Sequence, residues 1–155
     1  MAAQPMKKRF AILFGLLVIL AIALRLWQFH WPTAVVALRE EKLFVLVART
    51  PPHMYRGLGR WDSLGRYDGM LFLFPAASRL GMVMRDMKFP IDIIWLERGV
   101  VVDIAPTVPV EPGVPERLLR VYYPRVEANM VIETAAGWAE RHSIKIGDRL
   151  RVIEE

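Results

Sequence analysis

Asp86 and Asp92 are the residues of this chain whose type and proximity suggest a reaction, since paired carboxylates can serve as general acid and general base in hydrolysis. Asp92 lies in the apolar run Ile91–Leu96. A period of two puts Ile91, Ile93 and Trp95 on one face of a strand there, and Asp92, Ile94 and Leu96 on the other. A carboxylate on an apolar face is costly unless a cation or hydrogen-bond donor meets it. Arg56, Arg85 and Lys88 are nearby cations in sequence. Two roles stay open for Asp92: an anchor that fixes the corner at Pro90, or a polar point in a shallow pocket.

Other chemistries find less material. Ser63, Ser78 and Ser143 lie outside any Gly-x-Ser-x-Gly setting, and the chain has no cysteine, so nucleophilic catalysis and thiolate zinc sites are disfavoured. His53 and His142 are too sparse for a zinc centre, and no metal site is expected from them. No glycine-rich phosphate loop occurs, so no nucleotide cofactor is expected. Met82, Met84 and Met87, with Met54, Met70 and Met130, suggest either packing of irregular core gaps or a soft Cu(I) site of thioethers.

These residues must be held by a small β-rich domain. Val35, Leu38, Leu43, Val45 and Val47 flank Arg39-Glu40-Glu41-Lys42 as a hairpin. Thr50-Pro51-Pro52 opens a short helix, with Thr50 placed to cap it, which Gly57 and Gly59 end. Strands are expected at 70–74, 80–84, 91–96 and 100–104, the last two joined by Glu97-Arg98-Gly99. Further strands fall at 121–123, 130–133 and 149–153, and a helix at 134–142. The fold class is mainly β (α+β), a compact barrel or sandwich-like domain with two short helices. Pro106, Pro109, Pro112 and Pro115 recur every third residue. In polyproline II all four rings would share one face, as an exposed rigid loop or a stiff wall beside a groove.

Ahead of the domain, Lys7-Lys8-Arg9 precede the uncharged run Phe10–Leu24, extended by Leu26, Trp27, Phe29 and Trp31. This pattern describes residues 1–9 as a cytoplasmic basic region and 10–31 as a transmembrane signal-anchor helix, with 34–155 as one extracytoplasmic domain. Ala21-Ile22-Ala23 offers the alternative of cleavage near Ala23 and a secreted or periplasmic product. Lys7, Lys8, Arg9 and Arg25 account for four of the five net positive charges, so the domain itself is nearly neutral. Nucleic acid is therefore not expected as a partner.

Three short blocks carry a resemblance. They are Tyr55-Arg56-Gly57-Leu58 followed by Asp68-Gly69-Met70-Leu71-Phe72-Leu73-Phe74, then Met84-Arg85-Asp86-Met87, then Pro90-Ile91-Asp92-Ile93-Ile94. Glu133, Ala136-Gly137 and Ile144-Lys145-Ile146-Gly147-Asp148 follow. Together they resemble the domain of unknown function 192, a bacterial and archaeal family without an established reaction. Asp86 stands where that family usually has Asn, Val83 and Met87 where it has Trp and Thr, Arg85 where it has Lys, and Gly59 where Met is common. The resemblance implies a fold and a location, and no substrate. The expected function is a membrane-anchored binding or protein-interaction module of the cell envelope, with no cofactor. Its groove is expected from Arg56, Gly57, Met84, Arg85, Asp86, Asp92, Tyr122 and Tyr123, and its partner is an envelope protein or a small ligand. The alternatives are an envelope hydrolase using Asp86 and Asp92, and a Cu(I) site.

Overall fold

The computed structural model describes residues 4–27 and 30–154, with side chains at 10–24 and 30–154, and the chain divides into two units, 1–31 and 32–155. The first is one helix, α1 (Gln4–Trp27). Phe10, Ile12, Leu13, Phe14, Leu16, Leu17 and Ile19 are all exposed on it, so no single face is set aside for a core. Among the described residues no helix is long and apolar enough to cross a membrane. The spanning helix expected over 10–31 is not found among those residues, where the uncharged run Phe10–Leu24 rises about 22 Å against a hydrocarbon core of about 30 Å; its expected extension through Leu26, Trp27 and Phe29 falls outside the described side chains. Lys7, Lys8, Arg9 and Arg25 lie outside the described side chains, as do positions 28 and 29.

The second unit is built on a seven-stranded sheet in the order β5-β4-β6-β3-β2-β1-β7. In chain order its elements are β1 (Thr33–Leu38), β2 (Glu41–Ala48), α2 (Pro51–Arg56), β3 (Gly69–Ser78), β4 (Ile91–Glu97), β5 (Val100–Val108), a 3-10 turn (Glu116–Leu118), β6 (Ala128–Ala135), α3 (Trp138–Arg141) and β7 (Leu150–Glu154). All neighbours are antiparallel except β2 and β3, whose parallel pairing needs the crossover made by α2 and the loop after it. The sheet curls into a half-barrel. Its outer strands approach at one end, where Val100 bridges Arg149 and the N–H of Leu150 donates to the Gly99 carbonyl at 2.7 Å.

The β4/β5 hairpin follows from local chemistry. Arg98 and Gly99 have φ of 48° and 78°, the doubly positive pattern of a two-residue turn that matches strand twist. One face of the sheet buries Val36, Leu38, Val45, Leu71, Ile94, Leu96 and Ile132 with Ala139 of α3 and Ile144. The other face carries Met70, Phe72, Ile91, Ile93, Trp95 and Val131, all buried. It is covered by α2 and the segment 79–88: the Gly57 Cα faces the Phe72 ring, and Trp95 Nε1 donates to the Leu80 carbonyl at 2.9 Å.

Several expectations shift. Residues 80–84 and 121–123 make no strand, only the bridge Met82–Tyr122. The chain there is pressed against side chains, since a Cβ on Gly81 would stand 2.7 Å from both Tyr123 and Val121, and Asp86 at φ 53° stops any ladder. The helix expected over 134–142 shrinks to α3, because Thr134 and Ala135 continue β6 in register with Asp92 and Ile91, and Gly137 at φ 75° intervenes. Thr50 holds the cap position of α2 but makes no side-chain cap bond. The four prolines do not form one polyproline face: Pro106 belongs to β5, and Thr107 and Gly113 have positive φ.

Asp103 of β5 pins the segment after the 3-10 turn to the sheet. Arg125 Nη2 lies 2.6 Å from its Oδ1, and the Arg125 and Ile104 N–H groups donate to it at 2.7 and 2.9 Å. Burial works to raise the Asp103 pKa, but these donors outweigh it and hold the carboxyl below its ordinary value.

Candidate ligand-binding cavity

The site begins at the end of α2. Gly57 turns the chain out of the helix at φ 50°, its N–H donating to the His53 carbonyl at 2.8 Å. Gly59 then passes so close to segment 79–88 that a Cβ would stand 2.7 Å from the Arg85 carbonyl oxygen. Beside it the Arg60 N–H donates to the Asp86 carbonyl at 2.8 Å. The first and second sequence blocks are thus joined backbone to backbone.

Between them and the sheet lies an open cavity of about 280 Å³. Its walls are mainly apolar, with Met54, Leu58, Phe72, Phe74, Met82, Val83 and Met87, and its charged lining residues are Arg56, Arg85 and Glu133. Glu133 comes from β6, opposite Met70 of β3 and Ile93 of β4. It is 4% exposed. Its carboxyl receives no hydrogen bond or ion pair from any described residue, and burial alone pushes its pKa up to about 8. Near neutral pH it is therefore mostly the uncharged acid.

The two arginines differ. Arg85 is held: its guanidinium lies 4.0 Å over the Tyr55 ring, donates to the Tyr55 carbonyl at 2.7 Å and pairs with Glu116 at 2.6 Å. The Tyr55 hydroxyl donates to the same Glu116 at 3.1 Å. Arg56 is exposed, and its guanidinium engages no described residue. A second opening, of about 500 Å³, shares Tyr55, Arg85 and Met87 and is walled by Pro112, Gly113, Val114 and Pro115.

The expected site residues separate into groups. Arg56, Gly57 and Arg85 line the first cavity, and Arg85 and Asp86 line the second. Met84 is buried and lines neither, whereas Met54, Met82 and Met87 all line the first. Tyr122 lies in the Met82 bridge under the Arg120 guanidinium, 4.8 Å from its ring, and Tyr123 is an exposed residue packed on Gly81. Neither tyrosine lines these cavities.

Among the described residues no cation pairs with Asp92. Its Oδ1 accepts from the N–H of Thr107 at 2.7 Å and of Gly137 at 2.9 Å, and its Oδ2 from that of Ala139 at 2.8 Å. It sits on the sheet face of Ile94 and Leu96, opposite to that of Glu133, while half-exposed Asp86 pairs with Arg60 at 3.0 Å. The two aspartates thus share neither opening. Lys88 instead meets Asp62, at 2.6 Å. Among the described residues no group of three or more His, Cys, Asp or Glu could hold a metal ion.

Glu133 was missing from the expected groove, although its signal is the one that singled out Asp92. Val131 and Glu133 share a face of β6 by the period of two, so a carboxylate again stands in an apolar row.

A mainly-β half-barrel with a covered outer face and a carboxyl-floored cavity defines the class of domain. The chain belongs to the domain of unknown function 192 family (DUF192, described as an uncharacterised ACR), whose model matches residues 34–152. A structure from Sinorhizobium meliloti, described provisionally as a transcription regulator, is similar at TM-score 0.70 and 23% identity, covering 79% of this chain and 95% of its own. A protein of unknown function from Novosphingobium aromaticivorans is similar at TM-score 0.64 and 25% identity, covering 78% and 84%. No curated protein matches the chain.

Proposed function

We propose that the protein is a membrane-attached module of the cell envelope whose β domain lies outside the cytoplasm and binds a small ligand in the cavity over Glu133. The observation that carries the binding reading is Glu133 itself. The residue is nearly buried, no described residue pairs its carboxyl, and it lines an open cavity, where a ligand can replace the water that reaches it. A second reading, Cu(I) binding, has support in the three thioethers of Met54, Met82 and Met87 on the same cavity.

One experiment covers both readings. The full chain in mild detergent is heated with amino acids, short peptides, sugars, lipid headgroups and, under reducing conditions, Cu(I). A ligand of the cavity raises the melting temperature; the rise given by an organic ligand is lost in a Glu133→Gln variant that still melts cooperatively, whereas a rise given by Cu(I) on the thioethers is kept. No shift with any of them overturns the cavity reading.

Attachment draws support from the basic cluster Lys7-Lys8-Arg9 near the start of a continuous helix whose described apolar side chains from Phe10 onward are exposed. The expected outcome is that the chain stays with membranes through alkaline carbonate washing, and that alkaline phosphatase fused at the C-terminus is active while green fluorescent protein fused there is dark. A bright fluorescent fusion with inactive phosphatase overturns it. Cleavage near Ala23 would appear instead as a shortened product free of the membrane.

A further inference from the structure

We infer that the ligand of this cavity is a small apolar zwitterion of the amino-acid type, bound with its ammonium group on Glu133 and its carboxylate at Arg56. The inference rests on the cavity reading above and adds the chemistry of the occupant. Three properties of the site converge on it.

The floor asks for a donor. The Glu133 carboxyl lies between Met70 and Ile93 in the sheet, and neither can donate a hydrogen bond to it. An ammonium group brings three donors and a compensating charge, which an alcohol or a thioether does not. The walls suit that group as well. Phe72 and Phe74 line it, residues whose rings can attract a desolvated cation, and the neighbouring methionines are polarizable.

The mouth asks for an anion. Among the described residues, the charged groups lining the cavity with Glu133 are Arg56 from α2 and Arg85 from segment 79–88. Arg85 is already committed to Glu116 and the Tyr55 carbonyl, which leaves Arg56 as the open cation. A simple monocation would have to pass Arg56 with nothing to offset the repulsion. A ligand carrying both charges meets each group with its complement, and Arg is suited to bidentate carboxylate recognition.

The volume limits the rest of the molecule. About 280 Å³ has room for one amino acid with an aliphatic side chain.

Binding in this mode has a proton signature. The empty site holds Glu133 mostly protonated below pH 8, whereas an ammonium group is held by the carboxylate. The proton therefore leaves Glu133 for solvent when the ligand arrives. Affinity should rise about tenfold per pH unit from 6 toward 8 and then level off.

The test is calorimetric titration of the full chain in mild detergent with L-leucine at pH 6, 7 and 8, and with N-acetyl-L-leucine and L-leucinamide at pH 7. The expected result is leucine binding with the stated pH dependence and release of close to one proton per ligand at pH 6. N-acetylleucine, which lacks the ammonium group, should not bind. Leucinamide, which lacks the carboxylate, should bind at least tenfold more weakly than leucine, and Arg56→Ala should weaken leucine equally while strengthening leucinamide, from which it removes the repulsion. If N-acetylleucine binds as well as leucine, or if affinity falls as pH rises, the zwitterion is wrong and the cavity reading survives. If none of the three binds, the inference fails, and the broader panel decides separately whether the cavity has any ligand.

Discussion

Glu133→Gln is expected to leave stability nearly unchanged at pH 4 and to raise it, relative to the parent, by on the order of 5 kcal/mol at pH 8. Below 4.5, the ordinary value for this side chain, the folded and unfolded chains both carry the proton, and burial of the neutral acid costs little more than burial of an amide. From 4.5 to about 8 the unfolded chain gives up a proton that the folded chain keeps. Folding then loses about 1.4 kcal/mol per pH unit. Above pH 8 the folded carboxyl ionises too and the loss levels off. Gln has no such proton, so its curve lacks this slope.

Urea unfolding of parent and variant at pH 4, 6 and 8 reads the difference directly, because Asp103 acts alike in both. Its depressed pKa contributes stability above its ordinary 3.8 that is lost as pH falls through the folded value. Parallel curves for parent and variant would show that Glu133 ionises in the fold as it does in solvent, and would remove the main reason for regarding it as an unsatisfied site. A carboxyl kept at such a cost to stability near neutral pH is what a functional position looks like, since an apolar residue would pack there without penalty.

The legible parts of this fold are those decided within a few residues. The Arg39–Glu40 and Arg98–Gly99 turns sit between apolar runs, so β1/β2 and β4/β5 could be read as hairpins. The insertion of β6 between β3 and β4 rests on pairings across a large sequence separation, such as Met70 with Glu133, which no local period encodes. The same limit hid the floor of the cavity. Arg56, Gly57 and Arg85 come from blocks close in sequence, and they do meet. Glu133 reaches them only through the sheet. The partners of Asp92 were hidden for another reason: they are backbone N–H groups of residues 107, 137 and 139, and no side-chain pattern marks a backbone donor. Its place on an apolar face requires a partner for Asp92, and among side chains only cations such as Arg56, Arg85 and Lys88 offer one nearby in sequence.

Asp92→Ala should destabilise the domain by about 3 to 5 kcal/mol, because it strands three N–H donors around a fully buried position, each worth about 1 to 3 kcal/mol when left unpaired and partly recovered where water reaches. Asp92→Asn should cost less, since its amide oxygen still accepts, though its NH2 opposes another donor. One of the three bonds also holds Thr107 at φ 49°, a conformation unfavourable for a β-branched residue. Thr107→Gly in the Asp92→Ala background should therefore regain about 1 kcal/mol, as the left-handed backbone no longer needs enforcing. All three values come from urea unfolding at fixed pH. The position of Asp92 fixes what else should happen. It faces the core of Ile94 and Leu96, with the sheet between it and the cavity over Glu133. Folded Asp92→Asn should then bind any organic cavity ligand with the parent's affinity, while Glu133→Gln, the more stable protein at pH 8, should not. If Asp92→Asn retained full stability but lost the ligand, Asp92 would belong to the binding site and the assignment of roles to the two buried carboxylates would be reversed.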